Sequence, residues 1–591
     1  MHFLIPFSIL GLHIGLSNAA VQLTVPATPS SKNEVHSNFL GISFELSFIT
    51  DYFGNDTQHI STPMLNYLAN IKARTGNNPI RIRIGGNSAD TSPYVDTPSS
   101  PMVQLENGTF NSNDQLVTYN PLLWTVMASV AQSVNGVSFV INAPLSVAPN
   151  ASIANDMRNT LGSSLDSMLL GNEPDLYASH KERPSNYTVT DYFGDYTSAL
   201  KVVGPDDSSG NAFIGGPSIC CSLTSDWELL AVLQAGYLGN FSSVLKYIAV
   251  QHYPQDNCQP QDFRYQLPWY MQHSNVVTLA QWQKPGIDYL LSQPNHPQLI
   301  NSEFNSASCG GVPFSPSFGV GSMWSIDYAL QMAVVGYSQD SAAYIHTREA
   351  GISYNLLTPP AGPPGSAGAW STNSPYYSLL VMAEGLRTDH GAYVDDLNLG
   401  NSTTDANATS SAYAVYNIGN SSVSRLIIFN YANSSQEFAL PASVFSSSGT
   451  ALVKFLSAAT PEEETNISWG KFHSGGQTWS GSQVNDGLNP VTPSWATPNQ
   501  NLTGCATNGC TFTAPGPSLA MVFLDDAQYT MATITTQSPV IANSTNGAAS
   551  TNSTTGTPSD TPKGASGALG LNAPWTTAFG ALFSTMSFFA F

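Results

Sequence analysis

The sequence predicts an α/β protein: a (β/α)8 TIM barrel followed by a C-terminal all-β sandwich domain. Three observations predict it. Short apolar, β-rich runs recur between Phe39 and His346, spaced by segments long enough for crossover helices. Two of these runs end in a carboxylate, Glu173 and Glu303, and the C-terminal ends of parallel barrel strands are where such groups converge. From about Tyr376 the pattern changes to short strands separated by turn signals, as in a sandwich.

Taken in order, the chain opens with an apolar stretch from Phe3 to Leu16 and small residues at Ser17-Asn18-Ala19-Ala20. Residues 1–19 read as a secretory signal peptide. Residues 20–30 hold a short alternating strand, Val21 to Ala27, which precedes the barrel and is expected to join the β domain. The barrel is expected over residues 31–375. Its eight strand candidates are Phe39–Leu46, Pro79–Gly85, Val137–Ile141, Met168–Gly171, Ala212–Gly216, Tyr247–His252, Gln298–Phe304 and Ala342–His346. Pro79–Gly85 alternates strictly and carries Arg81 and Arg83; inside a barrel, these need carboxylate partners. Residues 376–526 form the expected β domain, with a helical segment at Leu379–Leu386 and strands near Ala412, Ser424, Ala451 and Ser518. Residues 527–566 read as a Ser/Thr-rich glycosylated stalk. Residues 567–591, small residues and a spacer before an apolar tail from Trp575 to Phe591, match a glycosylphosphatidylinositol (GPI) signal that is removed in the mature protein.

Composition narrows the function. Lys and Arg total only 18 of 591 residues and the formal net charge is −21, so a nucleic-acid footprint is absent and densely sulfated glycans fit poorly. About a dozen Asn-X-Ser/Thr sequons, among them Asn55, Asn107, Asn186, Asn240, Asn420 and Asn466, support a secreted, cell-surface glycoprotein. The six cysteines fit an oxidising compartment. Cys505 and Cys510 are close enough to close a small loop. Cys220, Cys221, Cys258 and Cys309 each follow a strand candidate and are expected on one face, with their pairing open. A zinc site is the weaker alternative, because no CxxC pair or nearby His spacing accompanies them.

The chemistry centres on Asn172-Glu173-Pro174, after the fourth run, and on Glu303, after the seventh. Strands four and seven can aim two carboxylates across one barrel mouth. Such a pair is what glycoside hydrolysis uses: a protonated acid for the leaving oxygen and an anion for the anomeric carbon.

These motifs, with Arg83-Ile-Gly-Gly-Asn-Ser-Ala-Asp90 and Gly41-Ile-Ser-Phe-Glu45, resemble glycoside hydrolase family 79, the heparanase/β-glucuronidase family of the clan A retaining glycosidases. The resemblance runs from about Leu23 to Leu524. It implies Glu173 as general acid/base, Glu303 as nucleophile and Asn172 as a partner of the sugar 2-OH. It further implies that Tyr253 orients Glu303 and that Glu45 and Asn87 line the sugar subsite. For a uronate carboxylate it implies backbone amides of Gly310 and Gly311 and a tyrosine after strand eight, Tyr354 or Tyr344. His180-Lys181-Glu182-Arg183 echoes the basic residues that family heparanases use for sulfated chains. The activity implied is release of terminal β-linked glucuronic acid, plain or 4-O-methylated, with no cofactor and no metal. The partner is a uronate-bearing glycan, membrane contact is through a GPI anchor alone, and the oligomeric state is open. The rival readings are another clan A β-glycosidase or wall transglycosidase, an endo-acting hydrolase, or a silent glycan-binding surface protein.

Overall fold

The computed structural model describes residues 19–106, 115–207, 209–221, 224–259, 263–337, 343–362, 369–470, 478–480, 496–524 and 538–542. The signal peptide, all but a few residues of the stalk and the GPI signal lie outside these, as does Asn107.

Eight parallel strands close into a barrel: β1 (Leu40–Glu45), β2 (Ile80–Gly85), β3 (Val137–Ala143), β4 (Leu165–Leu170), β5 (Ile214–Ile219), β6 (Leu245–Gln251), β7 (Gln298–Phe304) and β8 (Ala343–Thr347). They follow chain order around the barrel, and β8 pairs with β1, Tyr344 opposite Gly41. All eight expected runs are strands. The fifth is displaced: it begins at Ile214, two residues later than expected, and runs on through Gly215-Gly216-Pro217 to Ile219. The glycines serve close packing, since a Cβ on Gly215 would stand 2.4 Å from Leu169 Cδ2.

Period-two alternation in β2 turns Ile80, Ile82 and Ile84 toward the helices and Arg81 and Arg83 into the barrel. Both arginines have the carboxylates that burial demands. Arg81 pairs with Asp166 at 3.0 Å in the lower half, and Arg83 pairs with Glu303 at the mouth. Between them an apolar layer of Val140, Leu169, Tyr247, Ala249, Ile300 and Tyr344 fills the interior.

The β domain is a sandwich. Its larger sheet contains Ala392–Asp396, Ser410–Asn417, Val423–Asn430, Ser518–Phe523 and Ala451–Ser457. The smaller is three-stranded, with Val21–Gln22 running parallel to Gln436–Leu440, which pairs with Cys510–Ala514. Ala414, Leu426, Phe455 and Val522 face Leu23, Phe438 and Phe512 between the sheets. The alternate residues Tyr413, Ile427, Phe429 and Met521 join the barrel's own core. The large sheet is thus buried on both faces, which accounts for its nearly continuous apolar runs. The helix Tyr376–Gly385 lies between the barrel and the larger sheet, where Gly385 meets Met521 and Ile427. It packs on the helix Thr62–Thr75, and Tyr376 takes a hydrogen bond from Asn70 (3.1 Å) and donates one to the Tyr67 carbonyl (2.9 Å).

A polar cluster locks barrel to β domain. Asp327 accepts from Tyr431 (2.7 Å) and from Tyr413, and lies 3.0 Å from His273, whose other ring nitrogen is 2.9 Å from Asp396. Among the described residues, no helix is long and apolar enough to cross a membrane.

Candidate active site

A cavity of about 470 Å³ opens at the C-terminal end of the barrel, with both Glu173 and Glu303 in its wall. Each carboxylate is set by its strand end. Past β4 the chain turns at Gly171, and Glu173 sits in the left-handed region (φ 50°, ψ 54°), a conformation that costs a non-glycine residue energy and is held here by its surroundings. Pro174 follows directly, and the Glu173 amide donates to the Ser218 carbonyl near the C-terminal end of β5 (3.0 Å). Glu303 is still within β7, its side chain directed into the mouth.

The two carboxylates have opposite surroundings. Burial, reinforced by the charges of Glu303 and Asp175, pushes the Glu173 carboxyl well above the usual carboxylate range. Burial also acts on Glu303, but His346 and Arg83, with hydrogen bonds from Arg83 and Tyr253, outweigh it and hold that carboxyl below its ordinary value. Glu173 therefore keeps its proton to a higher pH than Glu303 does, the division of labour that acid-assisted displacement requires.

Arg83 organises the site. It is fully buried and donates to Glu303 Oε2, to Asn172 Oδ1 (2.6 Å), to Asn142 Oδ1 (3.0 Å) and to Ser43 Oγ (3.0 Å). Tyr253 donates to the other Glu303 oxygen (2.8 Å). Asn172 Nδ2 donates to Asn87 Oδ1 (2.7 Å). The Gln251 amide lies 2.7 Å from Asn172 Oδ1 and 3.0 Å from Glu173 Oε1. Glu45 accepts from the Ser88 amide (2.9 Å) and hydroxyl and lies 3.4 Å from His346 Nε2. Gly86 has φ 82°, and a Cβ there would fall 2.0 Å from Glu45 Oε2, so only glycine lets the loop after β2 pass Glu45.

Glu45, Asn87, Tyr253 and Tyr354 line the cavity together with the two carboxylates, and Asn172 stands directly behind them. Three expected residues are elsewhere. Tyr344 is second in β8 and buried in the apolar layer below the mouth. Gly310 and Gly311 do adopt positive φ (90° and 78°), but the cavity wall at this loop is Ser308 and Cys309. The glycine carbonyls are tied outward, to Ser353 Oγ (2.9 Å) and Asn257 Nδ2 (2.6 Å). Of the basic segment after Glu173, His180 lines the cavity, whereas Arg183 is spent on Asp195 (2.8 Å) and the carbonyls of Leu145 and Ser146.

Sequence reading missed Arg348. It follows β8, is 6% exposed, lines the cavity beside Tyr354, and has Glu349 3.2 Å from its Nε. Neither its terminal nitrogens nor the Tyr354 hydroxyl makes a hydrogen bond to any described residue. It also missed how the cysteines pair. Cys505 is bonded to Cys510, as the spacing suggests; Cys258 to Cys309, clipping the loops after β6 and β7 together; and Cys220 to its neighbour Cys221. Glu173, Cys220 and Cys221 come within metal-ligand spacing of one another, but the two sulfurs are bonded to each other and offer no thiolate.

No family model and no curated protein matches the chain. Solved structures do. A 4-O-α-L-rhamnosyl-β-D-glucuronidase from Fusarium oxysporum 12S superposes with a TM-score of 0.65 at 22% identity, over 85% of this chain and 100% of that one. The fold is shared with glycoside hydrolases. A family 51 arabinofuranosidase from Xanthomonas axonopodis pv. citri gives 0.53 at 12% identity, over 83% and 97%; one from Bifidobacterium longum gives 0.52 at 12%, over 83% and 97%. At these identities the likeness is one of fold: a TIM barrel with an attached β domain.

Proposed function

We propose that the protein is a retaining exo-β-glucuronidase of the heparanase/β-glucuronidase family, secreted and held at the cell surface by a GPI anchor. The observation that carries the glycosidase reading is the pair Glu173 and Glu303, at the ends of β4 and β7 in one cavity with their proton affinities driven apart.

The steps follow from that pair. Glu303 attacks the anomeric carbon as the bond from that carbon to the leaving oxygen breaks, and Glu173 gives its proton to that oxygen. This leaves a glycosyl ester on Glu303 and an anionic Glu173. Water, deprotonated by Glu173, then attacks the same carbon, releases the sugar with retained configuration and restores both groups. Asn172, ordered by Asn87 and Arg83, serves the 2-OH, and Arg83 and Tyr253 hold Glu303 in line.

Uronate selectivity rests on Arg348 and Tyr354. A buried guanidinium in the cavity wall, with a tyrosine in the same wall, suits a carboxylate and leaves a neutral hydroxymethyl group poorly matched. The rhamnosyl-glucuronidase activity of the Fusarium protein agrees with this choice of sugar. The test is the purified ectodomain on matched chromogenic β-glucuronide and β-glucoside. Equal rates would return the protein to the broader class of barrel β-glycosidases.

The surface address rests on the sequence signals, and the sequon residues Asn186, Asn240, Asn420 and Asn466 are exposed. Phosphatidylinositol-specific phospholipase C is expected to release the protein from membranes, with a new C-terminus near Ser566. Recovery of Phe591 in the mature protein would exclude the anchor.

A further inference from the structure

The wall of the cavity beside Glu173 is unusual in kind. Cys220 and Cys221, joined to each other directly after β5, stand there next to Leu176. Their sulfurs lie within 4.8 Å of a Glu173 carboxylate oxygen. Cys220 is buried and Cys221 exposed, so the pair is anchored on one side and presented on the other. Its polar backbone is already used: Asp175 accepts from the amides of Cys220 (3.1 Å) and Cys221 (2.8 Å). What remains to meet a ligand is two sulfurs and their methylenes, a rigid, polarisable surface with no donor to offer. The opposite side of the cavity has the contrary character, with Glu45, His346, Arg348 and Tyr354.

We propose that the Cys220–Cys221 disulfide is the platform of a leaving-group subsite, on which the C–H face of the aglycone's first pyranose ring rests. The proposal depends on the reading of Glu173 as proton donor. The donor must touch the glycosidic oxygen, so whatever flanks it away from the polar pocket meets the aglycone rather than the sugar being released. A pyranose ring offers axial C–H bonds on one face and hydroxyls around its rim. The C–H face gains dispersion contact from a close-packed sulfur surface and loses no hydrogen bond there. A short sequence device thus does two jobs: Asp175 fixes the disulfide relative to the Glu173 turn, and the disulfide fixes the ring whose oxygen Glu173 protonates.

The test compares two substrates of whichever sugar the wild-type ectodomain cleaves: its glycosyl fluoride, whose leaving group has no ring, and a β-linked disaccharide. The paired replacement Cys220→Ala with Cys221→Ala is expected to lower kcat/KM for the disaccharide by about tenfold more than for the fluoride. Leu176→Ala, which keeps the disulfide, should shift the same ratio in the same direction by a smaller factor, and it serves if the cysteine pair variant does not fold. An equal fall on both substrates means that the disulfide only holds the Asp175 turn, and overturns the platform. So does an unchanged ratio in both variants, or peptide mapping of the wild type that finds both thiols free. A wild-type protein inert toward every glycosyl fluoride would remove the glycosidase reading itself, and the platform with it. An active one with an unmoved ratio removes the platform alone.

Discussion

Arg83 and Glu303 form a buried pair across the mouth of the barrel, and the same guanidinium holds the Asn172 amide oxygen at 2.6 Å. One side chain therefore fixes both the charge of the proposed nucleophile and the orientation of the amide proposed to meet the 2-OH. Lysine cannot replace it, since an ammonium is a point donor without the planar fork. Arg83→Lys should lower kcat by roughly a hundredfold or more, because both groups shift from their attack geometry. It should also raise the acidic limb of the pH profile as Glu303 loses its partner. A variant within a few-fold of wild type, with an unmoved acidic limb, would show that Arg83 serves the fold alone.

The opposed shifts of the two carboxyls fix the shape of the pH profile. Activity needs Glu303 ionised and Glu173 protonated. The acidic limb then reports Glu303, held below the usual carboxylate range, and the alkaline limb reports Glu173, pushed above it. Glu173→Gln should abolish the alkaline limb on a substrate whose leaving group needs no proton. Azide, attacking in place of water, should then rescue turnover and give the β-glycosyl azide. In a Glu303→Ala variant, azide would instead enter from the vacated face and give the α product. The same anomer from both variants would contradict the assigned roles.

How much of this was legible in the sequence depends on how local the signal is. The strands were legible because a buried parallel strand is a short apolar run with turn formers beside it, and β2 even showed by alternation that its arginines share a face. β5 was displaced because its expected run was ended at Gly216, whereas tertiary packing keeps the chain extended through Pro217 to Ile219. The carboxylates were legible because a strand's end fixes where its next residues point. Arg348 was not, as it lies beyond the end of β8 in no recognisable pattern and matters only through what the fold places beside it. The pair Gly310-Gly311 was legible as a place where backbone could approach a ligand, but which residues of that loop face the cavity is decided by contacts with Asn257 and Ser353, far off in sequence.

The joint between barrel and β domain should be alkali-sensitive. Burial works against a charge on His273, but Asp327 and Asp396 on either side outweigh it and raise its pKa to about 10. The unfolded value is about 6.5. A pKa raised on folding contributes stability that is complete below the unfolded value and is lost as pH climbs through the folded one. The thermal midpoint should therefore hold up to about pH 6.5 and fall between roughly pH 6.5 and 10. His273→Asn should lower the midpoint at pH 6, since it strands Asp327 and Asp396, and breaking such a buried pair costs about 3–5 kcal/mol. The gap between variant and wild type should narrow toward pH 10. A gap that is constant from pH 6 to pH 10 would mean that His273 is neutral in the folded protein.

Uronate selectivity makes the sharpest demand on the site. Arg348 and Tyr354 both line the cavity, and in the proposed reading a sugar carboxylate engages the guanidinium and the hydroxyl. Charge-assisted hydrogen bonds are worth roughly 1.5–3 kcal/mol each, or about ten- to a hundredfold in rate apiece. Arg348→Gln removes the charge and keeps a donor, so it should cut kcat/KM for the β-glucuronide by about a hundredfold while leaving the β-glucoside rate nearly where it was. Tyr354→Phe should act in the same direction by one bond's worth. Tyr344→Phe should leave the ratio alone, because that residue is packed in the apolar layer below the mouth. If Arg348→Gln slows both sugars equally, the guanidinium holds the loop after β8 through Glu349 rather than the substrate. Selectivity, where present, must then come from other groups in the wall.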